Sequence, residues 1–313
     1  MLENLLFSVN ICLPIFFLLM MGFWLRSKDL FTDDYMQRTT QLVFNYLLPG
    51  KLFADIAQTD LRAAFSGEHA AAAFIGCLAQ FILSWILGNL LCRGIEKQSA
   101  FSHTGFRGNF AYVGLVLLQN IFGGPIPETV VITVLVLIMY NILGTVLMTV
   151  KVSGGRVNVS GIVISILKNP MIIGIIAAVP FAYFRVELPF VVTKSLSYMQ
   201  DTAGPLALLA VGASIRLSAL RGDLRLVLLA CFNKLVISPV VWLLPCLVFG
   251  VSGRQLVVSV VAGALPTAVN TYVITRRMGG DGDLVSSIVV MSHLLSILTL
   301  PVVIFLLKTG GVL

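Results

Sequence analysis

The chain has 313 residues, 58% of them hydrophobic and 11% charged, with a mean hydropathy of +0.98 and a formal net charge of +7. Soluble domains are about half apolar and a quarter charged, so a water-soluble globular protein is excluded and an integral membrane protein follows. The long continuous apolar runs exclude a β-barrel, whose strands would alternate, and the scattered basic residues make no footprint for nucleic acid.

An apolar run of about 17–25 residues crosses a bilayer as a helix. In chain order such runs fall at 4–25, 38–57, 69–92, 99–122, 129–150, 169–184, 195–215, 225–249, 254–275 and 284–307. The predicted fold class is an all-α polytopic membrane protein of about ten transmembrane helices, with little chain left for a soluble domain. The first run has no basic residue ahead of it, and Arg26 and Lys28 follow it. It therefore reads as a membrane helix whose start lies outside, and not as a signal peptide. The second run carries Asn45 and Pro49 in FNYLLPG, and the fourth carries Gly105, Gly108 and Asn109 in GFRGNFAYVG. The seventh carries Asp201 and Pro205 in QDTAGPL, and the ninth carries Pro266, Thr267 and Asn270 in GALPTAVN. Glycine and proline interrupt helices, so the fourth and ninth spans are expected to be broken, each about 13 residues before a terminal glycine, Gly123 or Gly279.

Ten spans divide into five and five, so the second half enters the membrane in the opposite sense. That arithmetic, with matching interruptions in spans two and seven and in spans four and nine, predicts two inverted repeats, 1–157 and 158–313. Irregular backbone at membrane depth survives only where protein or a water-filled cavity satisfies it. Two broken helices at corresponding positions mark a transporter's substrate site at the midplane, and half-helix N-termini suit an anion.

The basic residues set the orientation. Loops after odd-numbered spans hold thirteen of the 21 Lys and Arg and the opposite loops hold five. The positive-inside rule then puts the odd loops in the cytoplasm and both termini outside. Lys51, Arg107 and Lys234 fall within the spans. The five cysteines lie in or beside apolar runs without metal-ligand spacing, which makes them small buried side chains.

FNYLLPGKLF (44–53), GNFAYVGLVLLQNIFG (108–123), KNP (168–170), AGPLALLAVGASI (203–215), NKLVISP (233–239) and AGALPTAVN (262–270) resemble, in order and over nearly the whole chain, the auxin efflux carrier family, which includes bacterial malonate and malate permeases. The resemblance implies two inverted five-helix repeats, broken helices four and nine crossing at their breaks, and an elevator-like motion that carries a small organic anion. It implies a substrate-bordering role for Asn109, with Gly114 five residues on, and a homodimer. Val116 stands where the family usually has proline, so the distortion of helix four falls to Gly105 and Gly108.

Each candidate has a plainer reading beside the functional one. Arg107 is either a midplane contact for the anion or a charge at the cytoplasmic end of helix four. Lys234 is too deep for a loop charge, and is either a structural ion-pair partner or a substrate contact. Lys51 and Asp55, four apart, neutralise each other. Asp201, the one acid inside span seven, is the candidate for a coupling proton or sodium ion, or a partner for Lys234 or Lys51. Asn45, Pro266, Thr267 and Asn270 complete the expected substrate-binding set. His293 reads as a packing residue, and His69 and His103 have no evident partners. No HExxH, GxSxG or Walker loop is present, so an enzyme is not expected. The expected function is a secondary carrier of a small mono- or dicarboxylate in a bacterial inner membrane, with no cofactor beyond the coupling ion. The alternatives are a passive uniporter or channel on the same fold and, further off, a membrane-embedded enzyme.

Overall fold

The structure, a computed structural model, describes residues 1–59, 65–124, 126–154, 159–216 and 223–313. Among them there is no strand, and every regular element is helical. The first helix, α1 (Leu2–Ser27), is continuous through Pro14. Next come α2 (Asp33–Leu42), a π turn at Val43–Leu47 and α3 (Leu48–Ala57). After α4 (Gly67–Leu91), the fourth span is split into α5 (Ile95–Phe106), a π turn at Phe110–Gly114 and α6 (Leu115–Phe122). Next are α7 (Pro127–Met148), a π turn at Thr149–Ser153, α8 (Val159–Leu167), α9 (Pro170–Phe184) and α10 (Phe190–Ser214). The eighth span is α11 (Leu224–Phe232), a π turn at Asn233–Ile237 and α12 (Ser238–Val248). The ninth is split into α13 (Gly253–Ala264) and α14 (Asn270–Arg277), and α15 (Gly282–Thr309) closes the chain.

Each apolar run named above lies largely on helix, the fourth and ninth being interrupted at their breaks. Five helical stretches are long and apolar enough to cross a bilayer, and α8 with α9, bent by 63° between them, make a sixth. The run at 169–184 coincides with α9, and α8 precedes it at an angle. Asn169 caps α9, its side chain accepting from the Met171 N–H, and Pro170 supplies the first turn, which ends one helix and starts the next. The boundary between the proposed halves, at 157 and 158, lies outside the described residues, as do Arg62, Arg156 and Arg221 of the topology count.

A belt of large apolar side chains faces outward, Phe17, Met20, Ile82, Ile86, Leu298 and Val302 among them. With lipid as solvent this is the expected outer surface. Helix association then depends on close backbone approach and internal hydrogen bonds. Small residues mediate that approach. A Cβ on Gly22 of α1 would lie 2.2 Å from the Leu209 carbonyl oxygen, and one on Gly212 of α10 would lie 2.0 Å from that of Leu19. The α9–α3 pair repeats the arrangement, with Gly174 against the Pro49 carbonyl at 2.6 Å. Other close pairs are α4 with α5, α12 with α4, and α12 with α13. All five cysteines are free and buried.

Candidate functional site

The breaks in the fourth and ninth spans meet. After α5 the chain leaves helical geometry at Arg107 (φ −85, ψ 98), and after α13 it does so at Leu265 (φ −63, ψ 147). The two extended stretches form one antiparallel bridge, Gly108 against Thr267. Within it the Asn109 N–H donates to the Pro266 carbonyl at 2.8 Å and the Ala268 N–H donates to the Arg107 carbonyl at 3.0 Å. Each interruption therefore satisfies backbone groups the other leaves open, which is what irregular backbone in hydrocarbon requires.

Side chains complete the crossing. The Thr267 hydroxyl donates to the Thr104 carbonyl in the last turn of α5 (3.1 Å), and the Thr267 N–H donates to the Ser292 hydroxyl on α15 (3.2 Å). His293 lies one residue further on α15. Its Nδ1 sits 2.8 Å from the Val289 carbonyl and its Nε2 3.2 Å from Asn109 Nδ2. A carbonyl only accepts, so Nδ1 carries the hydrogen and Nε2 receives the asparagine amide. Asn109, Pro266 and Thr267 are buried. Gly114 is required by packing, since a Cβ there would come within 2.7 Å of Leu265 Cδ1.

Two cations flank the bridge. Arg107, 6% exposed, donates to the Tyr140 carbonyl at 2.9 Å and stands 5.9 Å from that ring's centroid. Lys234, with 0% exposure, donates to the Gly263 carbonyl at 3.0 Å and contacts the Ser238 hydroxyl at 3.4 Å. Gly263 belongs to the last turn of α13, so the ammonium caps the negative end of a half-helix. Among the described residues neither cation has a carboxylate within ion-pair distance. Lys234 is thus no partner in an ion pair among the described residues, and Arg107 is a buried residue of the crossing.

The remaining candidates are placed elsewhere or stand at the margin. Lys51 and Asp55 do pair, at 3.1 Å, and Asp55 also accepts from Gln200 Nε2 at 2.6 Å. Asp201 holds neither lysine. It is exposed, on the wall of a cavity of about 380 Å³ between α1, α6 and α10, which Pro14, Ile15, Gln119, Asn120 and Gln200 also line. Asn45 is exposed on the π turn of the second span, away from the bridge. Asn270 opens α14 half-buried, its Oδ1 without a protein partner, as is the buried Thr271 Oγ1 beside it. His69 and His103 do have partners: His69 Nε2 lies 3.1 Å from the Ser259 hydroxyl, and His103 Nδ1 lies 2.8 Å from the Thr275 hydroxyl.

Sequence reasoning passed over Gln80. Fully buried on α4, it donates to the Gly105 carbonyl (2.9 Å) and to Asn233 Oδ1 (3.3 Å), while Asn233 donates to the Ser84 hydroxyl (3.0 Å). The signal was available. Gly76, Gln80, Ser84 and Gly88 recur every four residues and form one small and polar stripe down α4.

Two interrupted helices are joined at their breaks, and two buried cations beside them have no carboxylate partner among the described residues. They lie in a helical body with several spans apolar enough to cross a bilayer, which points to a membrane transport protein. The chain belongs to the family described as "Membrane transport protein", whose profile matches residues 7–304. That bears out the resemblance to the auxin efflux carriers. Relatives include "Uncharacterized transporter YfdV" of Escherichia coli (strain K12), 21% identical over 281 residues, which are 87% of this chain and 88% of that one. "Putative malonate transporter" of Rhizobium meliloti (strain 1021) is 23% identical over 312 residues, 96% of each chain. "Uncharacterized transporter MJ1031" of Methanocaldococcus jannaschii is 19% identical over 300 residues, 93% of this chain and 96% of that one. The family and these relatives are transporters and not enzymes.

Proposed function

We propose that the protein is a secondary carrier that moves a small organic anion, a mono- or dicarboxylate, across the membrane by alternating access. The observation that carries this reading is the pair of buried cations, Arg107 and Lys234, beside the joined breaks, whose hydrogen-bond acceptors among the described residues are neutral oxygens. Charges at bilayer depth are expensive and usually serve an ion or substrate path. A relative covering the same length is named for malonate, which is consistent with that class. Asn109, Pro266, Thr267, Asn270 and Gly114 shape the site at the crossing, and Asp201 is the coupling group.

Two inverted five-helix repeats, 1–157 and 158–313, account for the packing. The first span lies on the seventh as the sixth lies on the second, in both cases through glycine. An elevator-like motion would use that division, with α1, α3, α9 and α10 as one body and the crossing helices in the other. The cavity between α1, α6 and α10 lies on the seam.

Counterflow in proteoliposomes tests the reading. Vesicles loaded with unlabelled malonate, malate or an indole acid should accumulate the labelled form of at least one. Folded protein that exchanges none of them would overturn it. Accumulation that persists without a proton or sodium gradient would instead identify a uniporter.

A further inference from the structure

Asn109 precedes the π turn at Phe110–Gly114, a position where an asparagine side chain ordinarily turns onto a free N–H of its own helix. Among the described residues its side chain caps none of them. The backbone of Asn109 is committed on both sides. Its N–H donates to the Pro266 carbonyl (2.8 Å), and its carbonyl accepts from the N–H groups of Val113 (3.0 Å) and Gly114 (3.2 Å). The amide alone is left uncommitted by its own helix, and another helix, α15, decides how it stands.

The Val289 carbonyl on α15 lies 2.8 Å from His293 Nδ1 and also accepts from the Ser292 hydroxyl at 3.0 Å. It thereby fixes the neutral ring with its hydrogen on Nδ1 and its lone pair on Nε2. That lone pair faces Asn109 Nδ2 at 3.2 Å. With the amide turned over it would face Oδ1, acceptor against acceptor. His293 is 1% exposed and Asn109 2%, and burial raises the cost of leaving either one unpaired. Ser292 meanwhile accepts from the Thr267 N–H (3.2 Å). Adjacent residues of one helix thus each hold one of the two breaks.

We propose that His293 is a positioning residue of the anion site: through its fixed tautomer it holds the Asn109 amide in one of two orientations, and so sets which polar groups of Asn109 meet a bound carboxylate. The inference rests on the carrier reading, which puts the anion at the crossing, and extends that site to α15. His293 touches no cargo itself. A ring that only fills space tolerates an apolar substitute, whereas a ring that orients Asn109 requires an acceptor at the place of Nε2. The chemistry at position 293 then matters to the anion only while Asn109 is present.

The test is malonate counterflow in proteoliposomes of the full chain, reading half-saturation and maximal rate separately. His293→Asn keeps a donor for Val289 at the place of Nδ1 but ends short of Asn109, and His293→Leu serves neither partner. Each should raise the half-saturating malonate concentration about tenfold, as loss of one hydrogen bond predicts. The maximal rate should stay within about threefold of the wild type. His293→Gln puts an amide oxygen where Nε2 stood and should recover half-saturation to within about threefold. Asn109→Ala should raise it as well, and His293→Asn added to Asn109→Ala should change it by less than about twofold, because the coupled partner is gone. If Asn109→Ala is silent, the contrast between His293→Gln and His293→Asn decides. Wild-type half-saturation in His293→Asn, equal defects in His293→Gln and His293→Asn, or effects of His293→Asn and Asn109→Ala that multiply overturn the proposal. Failure of both His293→Asn and His293→Leu to fold assigns the ring to packing and overturns it too. All of these leave the carrier reading standing, whereas no exchange by folded wild-type protein sinks that reading itself.

Discussion

Lys234 shows what a single residue contributes and what it costs. An ammonium with 0% exposure, held by one carbonyl and one hydroxyl, has lost its hydration without gaining a counter-ion. Desolvating a charge is expensive, and an apolar side chain of similar volume avoids that cost. Lys234→Met should therefore leave the thermal midpoint in detergent unchanged or higher, while anion exchange falls at least about tenfold. Wild-type exchange rates in that variant would remove Lys234 from the site. Residues of this kind were legible, because a charge deep in an apolar run or a polar side chain beside a break stands out against its surroundings, as Arg107, Asn109 and Thr267 did. Asn45 was equally conspicuous, yet it is exposed, because a residue's face on a helix depends on the register that the π turn sets. Gln80 stood in a visible stripe on α4, but its role was not legible there. Its partners, the Gly105 carbonyl and Asn233, are remote in sequence, and nothing local announces them.

At the scale of elements, glycine decides which helices lie in backbone contact. The α1–α10 seam places carbonyl oxygens 2.0 and 2.2 Å from where Cβ atoms on Gly212 and Gly22 would stand, so one side chain there forces the helices apart. Overpacking of this kind costs about 1–3 kcal/mol. Gly22→Ala should lower the thermal midpoint in detergent by several degrees. Gly67→Ala, at the start of α4 where a Cβ meets nothing within 4 Å, should leave it unchanged or slightly raised, since alanine is the better helix former. Equal effects at the two sites would refute the seam. The broken elements show what sequence conveys at this scale. Pro266 and the Gly105–Gly108 pair announced both interruptions. Of the π turns among the described residues, those at Val43–Leu47 and Phe110–Gly114 overlap the motifs that carry Pro49 and Gly108, whereas the one at Thr149–Ser153 falls in no such motif. Nor did composition separate α8 from α9, since both sides of Lys168–Asn169 are apolar.

For the whole molecule, the contact between α1 and α15 bears on the parity of the crossings. Asn4 at the start of α1 donates from Nδ2 to the Thr309 hydroxyl at the end of α15 (3.3 Å), and Lys308 Nζ lies 4.3 Å from the centroid of the Phe7 ring. The start of α1 and the end of α15 thus lie together, as an even number of crossings predicts. Arg26 lies at the other end of α1, and Arg276 and Arg277 end α14. By the bias of Lys and Arg these helix ends are expected on the cytoplasmic side. Alkaline phosphatase fused after Leu313 should be active and green fluorescent protein fused there dark, while fusions truncated after Lys28 should give the reverse. A fluorescent fusion after Leu313 would invert the orientation without altering the parity, because the α1–α15 contact holds either way. Bright fluorescence at both points would instead contradict the contact itself, since α1 must cross the membrane to separate Asn4 from Lys28.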